Sequence, residues 1–301
     1  MSLHPSLPAQ RHIMRPLKLT ILVLLFLSFL MSAFFVWLGV SLLRLPRSRI
    51  LSELMKSFTG VIRILLNVKV TVEGAGDCLG TGGHFIVSNH LGYLDGVVLG
   101  SLFPMILVTK RQVKRWPVIG QLLTLLEVIF VDREDKKDIL RVLDRISKML
   151  RKGANVLVFP EGTSTNGEKL LPFQSAFFAA PLMAHAVVVP VTLTYRLVDQ
   201  HPVSAANRDS IYWYGDMSFA PHLWNLLGTN RIEVSVKIHP RIEASKLQDN
   251  SQGRKQLSQA CYDVIGQGVS SEPEKSARSA AVIPRSSPSS TVLRRSGWPD
   301  F

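Results

Sequence analysis

Cysteine is nearly absent: the 301 residues hold two, Cys78 and Cys261, neither in a CxxC pair. Two such residues cannot frame a disulfide scaffold, and nothing in their use calls for an oxidising compartment. Cys78, His84 and His90 lack metal-ligand spacing, so no metal is expected. Acidic residues are scarce beside basic ones, 22 against 35, for a formal charge of +13. Such a balance implies a polyanionic partner: nucleic acid, an anionic membrane or a phosphorylated substrate. No GxSxG elbow occurs, which disfavours a serine acyl-enzyme of the α/β-hydrolase type. No GxxxxGK loop, HExxH motif or repeat of 20–50 residues occurs either. The glycines of GAGDCLG (74–80) are spaced one residue too widely for a dinucleotide fingerprint.

What is present begins with apolar sequence. Hydrophobic residues make up 47% of the chain, enough to bury a core and to exclude disorder over most of it. From Leu19 to Leu43 no residue is charged, and 25 residues exceed the roughly 20 that cross a bilayer as a helix. A signal peptide would have a shorter apolar run and a small-residue cleavage site; here Arg44, Pro46, Arg47 and Arg49 follow. The run therefore reads as a retained membrane helix over 19–43, after a basic segment over 1–18. Eight basic residues lie in the first 63 positions, opposed by Glu53 alone. Both flanks of the helix are basic, so the charge rule gives no clean orientation. Within the basic segment 44–66, residues 50–66 place apolar side chains at helical spacing, with Glu53, Lys56 and Arg63 on the other face. That pattern predicts an amphipathic helix lying on the bilayer or packed on the following domain. Residues 269–301, rich in Ser, Pro and Arg without apolar periodicity, read as a disordered tail.

Between 67 and 268, strand-like and helix-like stretches alternate. Strands are predicted at 68–74, 84–89, 105–110, 128–132, 155–160, 187–195 and 232–238, and helices at 94–103, 136–151, 175–185 and 253–265. The expected fold is α/β: a mixed, mostly parallel sheet covered by helices. Sites on such sheets lie on the loops that follow the strands.

Four of those strand ends carry chemistry-bearing residues. Asn89-His90-Leu91-Gly92-Tyr93-Leu94-Asp95 follows one strand. His90 and Asp95 can meet across a tight turn as an imidazole held by a carboxylate, the usual form of a general base. A solvated histidine and a helix-capping aspartate fit the same letters. Glu161-Gly162-Thr163-Ser164 follows another strand, and its hydroxyls and backbone N–H groups suit a phosphate or an ordinary turn. Lys110, Arg111, Lys114 and Arg115 follow a third, and Arg133 ends a fourth, where it fits a phosphate clamp or an ion pair with Asp132 or Glu134. The positive charge thus gathers beside the apolar segment and at strand ends, which favours anionic lipid or a phosphorylated substrate over nucleic acid.

Read in order, NHxxxxD (89–95), VIFVDR (128–133), VFPEGT (158–163) and VVPVTL (188–193) resemble the four blocks of the glycerolipid acyltransferases, the family of 1-acyl-glycerol-3-phosphate acyltransferase. The resemblance covers roughly 65–240. It implies that His90 removes a proton from a lysolipid hydroxyl, that Asp95 orients His90, and that the oxygen attacks the thioester of acyl-CoA or acyl-carrier protein. It implies no cofactor beyond that co-substrate. Asn89, Lys110, Arg133, Glu161, Gly162 and Thr163 are the expected substrate-binding residues. One position departs: the family's third block usually continues with Arg, and this chain has Ser164. The expected product is phosphatidic acid made from 1-acyl-sn-glycerol-3-phosphate. Lyso-ornithine lipid or another lysophospholipid is the alternative acceptor, favoured by Ser164 and by the stretch 211–227. An inactive, membrane-anchored lipid-binding protein is the reading of another class, and the intact His90/Asp95 pair argues against it. The expected location is a membrane, the cytoplasmic membrane in a bacterium, with the catalytic domain on its cytoplasmic face.

Overall fold

The computed structural model describes residues 8–45, 47–74, 82–116 and 119–281, with side chains over 14–269. Helix α1 (Pro8–Leu42) and helix α2 (Arg47–Leu65) precede strand β1 (Val68–Gly74). There follow β2 (Phe85–Ser88), α3 (Tyr93–Leu102), β3 (Ile106–Lys110), α4 (Ile119–Leu125), β4 (Ile129–Val131), α5 (Lys136–Arg151) and β5 (Val156–Val158). The chain continues through α6 (Ala179–Ala184), β6 (Val187–Val198), β7 (His201–Pro202), α7 (Phe219–Leu227), β8 (Ile232–Ile238), β9 (Ile242–Glu243) and α8 (Ser251–Ala281).

The strands form one sheet of order β1-β8-β6-β2-β5-β3-β4, with β7 and β9 also paired to β6. From β6 through β2, β5 and β3 to β4 every pairing is parallel. β8 is antiparallel to β6 and parallel to β1. Strands β2 and β5 are buried along their whole length, as the continuous apolar runs FIVS and VLV require. Their alternate side chains enter opposite cores. Ile86 and Leu157 pack with α3 and α7 on one face. Phe85, Val87, Val156 and Val158 pack with α5, α6 and α8 on the other. The sheet is mixed, mostly parallel and covered by helices, as its patterning predicts.

Two boundaries differ from the sequence reading. Helix α8 continues to Ala281, so residues 269–281 are helical; once a helix is nucleated on the core, each further turn costs little. Residues 282–301 of the expected tail lie outside the described residues. The predicted helix 175–185 begins as a 3₁₀ turn (Ser175–Phe178) before α6.

Helix α1 is not a freestanding element. The stretch Met14–Leu42 is long and apolar enough to cross a bilayer. Yet its first half docks on the domain: Lys18 Nζ donates to the Thr229 carbonyl at 2.7 Å, beyond the end of α7. Phe29 of α1 stacks on Phe58 of α2, with ring centroids 3.8 Å apart, and Phe26 meets Phe58 edge-on. Helix α2 in turn buries Leu51, Ser52, Phe58 and Thr59. Gly100 of α3 lets Thr59 approach: a Cβ at position 100 would lie 3.2 Å from the threonine hydroxyl. This face of α2 packs on the domain, while Val61 and Ile64 stay exposed. Phe58→Ala should therefore lower stability by about 3 kcal/mol, as for other buried Phe truncations. Phe35→Ala, at a side chain 60% exposed, should change it by less than about 0.5 kcal/mol. Unfolding midpoints in mild detergent compare the two.

Candidate active site

Four neighbouring parallel strands, β2, β5, β3 and β4, present their carboxyl ends along one edge of the sheet. Asn89 and His90 follow β2, Glu161 and Gly162 follow β5, Lys110 ends β3 and Arg133 follows β4. The topology thus gathers residues from three of the four sequence blocks. The fourth block, on β6, supports them from behind.

His90 and Asp95 meet. Nδ1 of His90 is 2.8 Å from Oδ2 of Asp95, whose side chain is fully buried. A carboxylate only accepts, so Nδ1 carries a proton and, in the neutral ring, the lone pair lies on Nε2. The same Oδ2 accepts from the backbone N–H of Leu91 at 2.6 Å and of Gly92 at 2.9 Å. Asp95 stands at the third position of α3, where an acidic side chain caps the helix start. Both sequence alternatives for Asp95 hold at once: it caps a helix and it orients a histidine. The His90 ring lies flat on Phe159, with centroids 4.1 Å apart. The carboxylate and this stacking fix the ring's rotation and tilt. The side chain remains 22% exposed.

The side chains of Asn89 and Glu161, two of the expected substrate-binding residues, both bond to backbone groups. The Asn89 amide donates to the Leu193 carbonyl at 2.9 Å and accepts from the Leu193 N–H at 2.8 Å, tying the end of β2 to β6. Glu161 accepts from the His90 N–H at 2.7 Å through one oxygen and from the Leu171 N–H at 2.9 Å through the other. Burial, outweighing those two hydrogen bonds and reinforced by the nearby Asp95, pushes the Glu161 carboxyl up to about 7. Thr163 is exposed.

Lys110, Arg133 and Gly162 do come together. Gly162 has φ +78°, and a Cβ there would lie 2.8 Å from Nη1 of Arg133. Only glycine gives the left-handed turn and the room for that guanidinium. Among the described residues Arg133 makes no ion pair, and its Nε is buried without a hydrogen-bond partner. One acid that could have neutralised it, Asp132, faces Arg111 at 3.6 Å, and Arg111 also takes Asp138 at 2.6 Å. Desolvation lowers Arg133 below the usual arginine value, and desolvation followed by the like charge of Arg133 lowers Lys110. Two cations without a counter-ion form a site for an anion.

His90, Lys110, Arg133, Gly162 and Ser164 border a cavity of about 840 Å³. Its remaining walls are mostly apolar. Helix α1 contributes Leu19, Leu22, Val23, Phe26 and Leu27, one face at helical spacing, and α2 contributes Met55, Phe58, Thr59 and Ile62. The wall made by Tyr93, Trp116, Trp213 and Phe219 is a cluster of mutually packed rings, with Tyr93 Oη 2.8 Å from Nδ1 of His222. An imidazole with a free lone pair, two unpaired cations and an apolar chamber can activate a hydroxyl on an anionic molecule that carries a long hydrocarbon. Among the described residues no group of three or more His, Cys, Asp or Glu is placed to hold a metal ion.

Residues 69–194 match the sequence profile of the Acyltransferase family. This segment is an acyltransferase-family domain. The acyltransferase domain and its surroundings are 29% identical over 225 residues to the lyso-ornithine lipid O-acyltransferase of Rhizobium meliloti, covering 72% of this chain and 75% of that protein. The Pseudomonas aeruginosa lyso-ornithine lipid O-acyltransferase is 33% identical over 58% of this chain and 64% of its own length. The 1-acyl-sn-glycerol-3-phosphate acyltransferase of Neisseria gonorrhoeae is 25% identical over 61% and 69%. The fold matches the crystal structure of the 1-acyl-sn-glycerophosphate acyltransferase PlsC from Thermotoga maritima with a TM-score of 0.58. That match covers 86% of this chain and 97% of the other, at 21% identity.

Sequence reasoning located His90, Asp95 and the cation pair but missed Tyr195, Phe159 and the role of α1 as a cavity wall. Phe159 lies inside the third block and was there to be read. A lone tyrosine on an apolar strand carries no signal of its partner.

The Glu161 carboxyl generates a pH prediction. Its ordinary value is 4.5 and burial raises it to about 7. A raised carboxyl stabilises the fold fully below about 4.5 and loses that contribution as pH rises through about 7. The unfolding midpoint should fall across this window. Glu161→Gln cannot titrate and should flatten that slope, while losing one of the two backbone hydrogen bonds.

Proposed function

We propose that the protein is a membrane-associated O-acyltransferase that moves a fatty acyl group from acyl-CoA or acyl-carrier protein to the hydroxyl of a lysolipid whose headgroup bears a carboxylate or a phosphate. The observation that carries this reading is the His90–Asp95 pair opening onto an apolar cavity beside two uncompensated cations. His90 Nε2 takes the hydroxyl proton as the oxygen attacks the thioester carbonyl. The carbon–sulfur bond then breaks, and the departing thiolate recovers the proton from the imidazolium. Asp95 holds the ring and supports its transient charge, a role worth up to about 10⁴-fold in other His–Asp pairs. The apolar walls take a hydrocarbon chain. No enzyme nucleophile is required, in keeping with the missing GxSxG.

Arg133 and Lys110 would hold the anionic headgroup. Lyso-ornithine lipid is the acceptor favoured by Ser164 and by the names of the Rhizobium and Pseudomonas relatives, and its ornithine carboxylate would meet this pair. Lysophosphatidate is the second reading, favoured by the pair's charge and by the Neisseria relative. The outer face of α1, with Leu24, Met31, Phe35 and Leu42 exposed, would meet the bilayer. The domain would then lie on the cytoplasmic side, where both donors are found.

Acyl transfer by purified protein, with each donor against both acceptors, tests the proposal. His90→Ala should abolish turnover in a folded protein; near wild-type activity would sink the mechanism. Arg133→Ala should raise KM for the preferred anionic acceptor by roughly 10–150-fold, the worth of a charge-assisted hydrogen bond. A lysolipid without a headgroup carboxylate or phosphate should be affected little. Equal losses on both would assign Arg133 to the donor or the fold.

A further inference from the structure

The base pair described above has a third member that the acyl-transfer chemistry does not itself require. Tyr195 lies on β6, fully enclosed, and its hydroxyl donates to Oδ1 of Asp95 at 2.8 Å. That oxygen is the one left over by the helix cap and by His90, which all use Oδ2. The pairing of β6 with β8 shifts register between Tyr195 and Leu197, an irregularity of the kind that re-aims a side chain. The Tyr212 ring packs edge-on at 5.5 Å and holds the phenol in place. Burial and the adjacent Asp95 carry the Tyr195 hydroxyl well above its ordinary range, so it stays protonated and can only donate to the carboxylate.

We propose that Tyr195 is a positioning residue that sets the base strength of the His90–Asp95 pair. The inference rests on the reading of His90 as general base. A donor on Oδ1 draws charge away from Oδ2 and weakens its hold on the Nδ1 proton. It also stops the carboxylate from turning about its bond to Cβ. Remove the hydroxyl, and a buried oxygen loses its partner while Asp95 pulls harder on the imidazolium. The protonated form of the pair is then favoured, and His90 becomes available as a base only at higher pH. Other groups surround the pair: Tyr93 on α3, Tyr212, Glu161 after β5, and Lys110 and Arg133 across the cavity. All of them are unchanged in a Tyr195 variant, so a shift is read against a constant background.

The test is Tyr195→Phe in the full-length protein in detergent, assayed with whichever of lysophosphatidate and lyso-ornithine lipid the wild type acylates. The expected result is a kcat lower by roughly 10- to 100-fold, the scale of a charge-assisted hydrogen bond, with KM within about threefold. The acid limb of the kcat/KM profile should also move up by about one pH unit. A general loosening of the fold would lower kcat without moving that limb. A limb at the wild-type pH, or kcat within twofold of wild type, overturns the proposal. Should the Phe variant fail to fold, trifluorotyrosine at position 195 keeps the shape and makes a stronger donor. The limb must then move to lower pH, and an unmoved limb overturns the idea equally. His90→Ala separates the two layers of the argument. If it is inactive while Tyr195→Phe behaves as wild type, only the tyrosine's role falls; if it is active, the base reading falls with it.

Discussion

The carboxylate of Asp95 is the point on which the site depends. It is fully buried and accepts four hydrogen bonds, from His90, Leu91, Gly92 and Tyr195. A buried anion is costly unless it is bonded on every side, and here it is. Because two of its donors are backbone N–H groups of the turn entering α3, the charge that holds the imidazole also fixes where that helix begins. Helix start, turn and imidazole are therefore one object. Moving any of them by an ångström would leave a buried charge short of a partner.

Around this object the polar groups divide into holders and presenters. Asn89 and Glu161 spend their side-chain atoms on the backbone of Leu193, His90 and Leu171, so that β2 and the loops after β5 sit in fixed relation. Lys110 and Arg133 do the reverse: they reach the cavity with no acid among the described residues to satisfy them. The contrast is what makes the cavity's charge available to a ligand. Ser164, in place of the Arg that usually ends the third block, leaves that charge on residues from β3 and β4.

The sheet was largely legible in the letters because its strands are short, fully apolar runs bounded by turns, and seven predicted runs became β1 to β6 and β8. His90 and Asp95 were legible because their spacing is local. Asn89 and Glu161 were visible as polar residues at strand ends, but their use was not. Whether an amide or a carboxyl faces a ligand or a distant backbone depends on pairings that only the folded sheet supplies. Tyr195 shows the limit most clearly, since its partner is 100 positions away. Helix α1 read as a membrane helix from its apolar length, and that length is real. The letters could not show that one of its faces is spent on the domain, because a face that meets lipid and a face that lines a hydrocarbon cavity have the same composition.

The tie between Asn89 and Leu193 spans 104 positions, that between Glu161 and His90 spans 71, and the Tyr195–Asp95 bond spans 100. His90 and Asp95 lie five positions apart, but the contacts that support them are long-range. Closing such loops is slow and comes with the pairing of β2, β5 and β6 rather than before it. A partly collapsed chain can form the His90 turn and still lack the frame that holds the imidazole in place. Turnover therefore reports on the integrity of the central sheet. Damage to that sheet, even where it touches no ligand, reduces the fraction of molecules that can work at all.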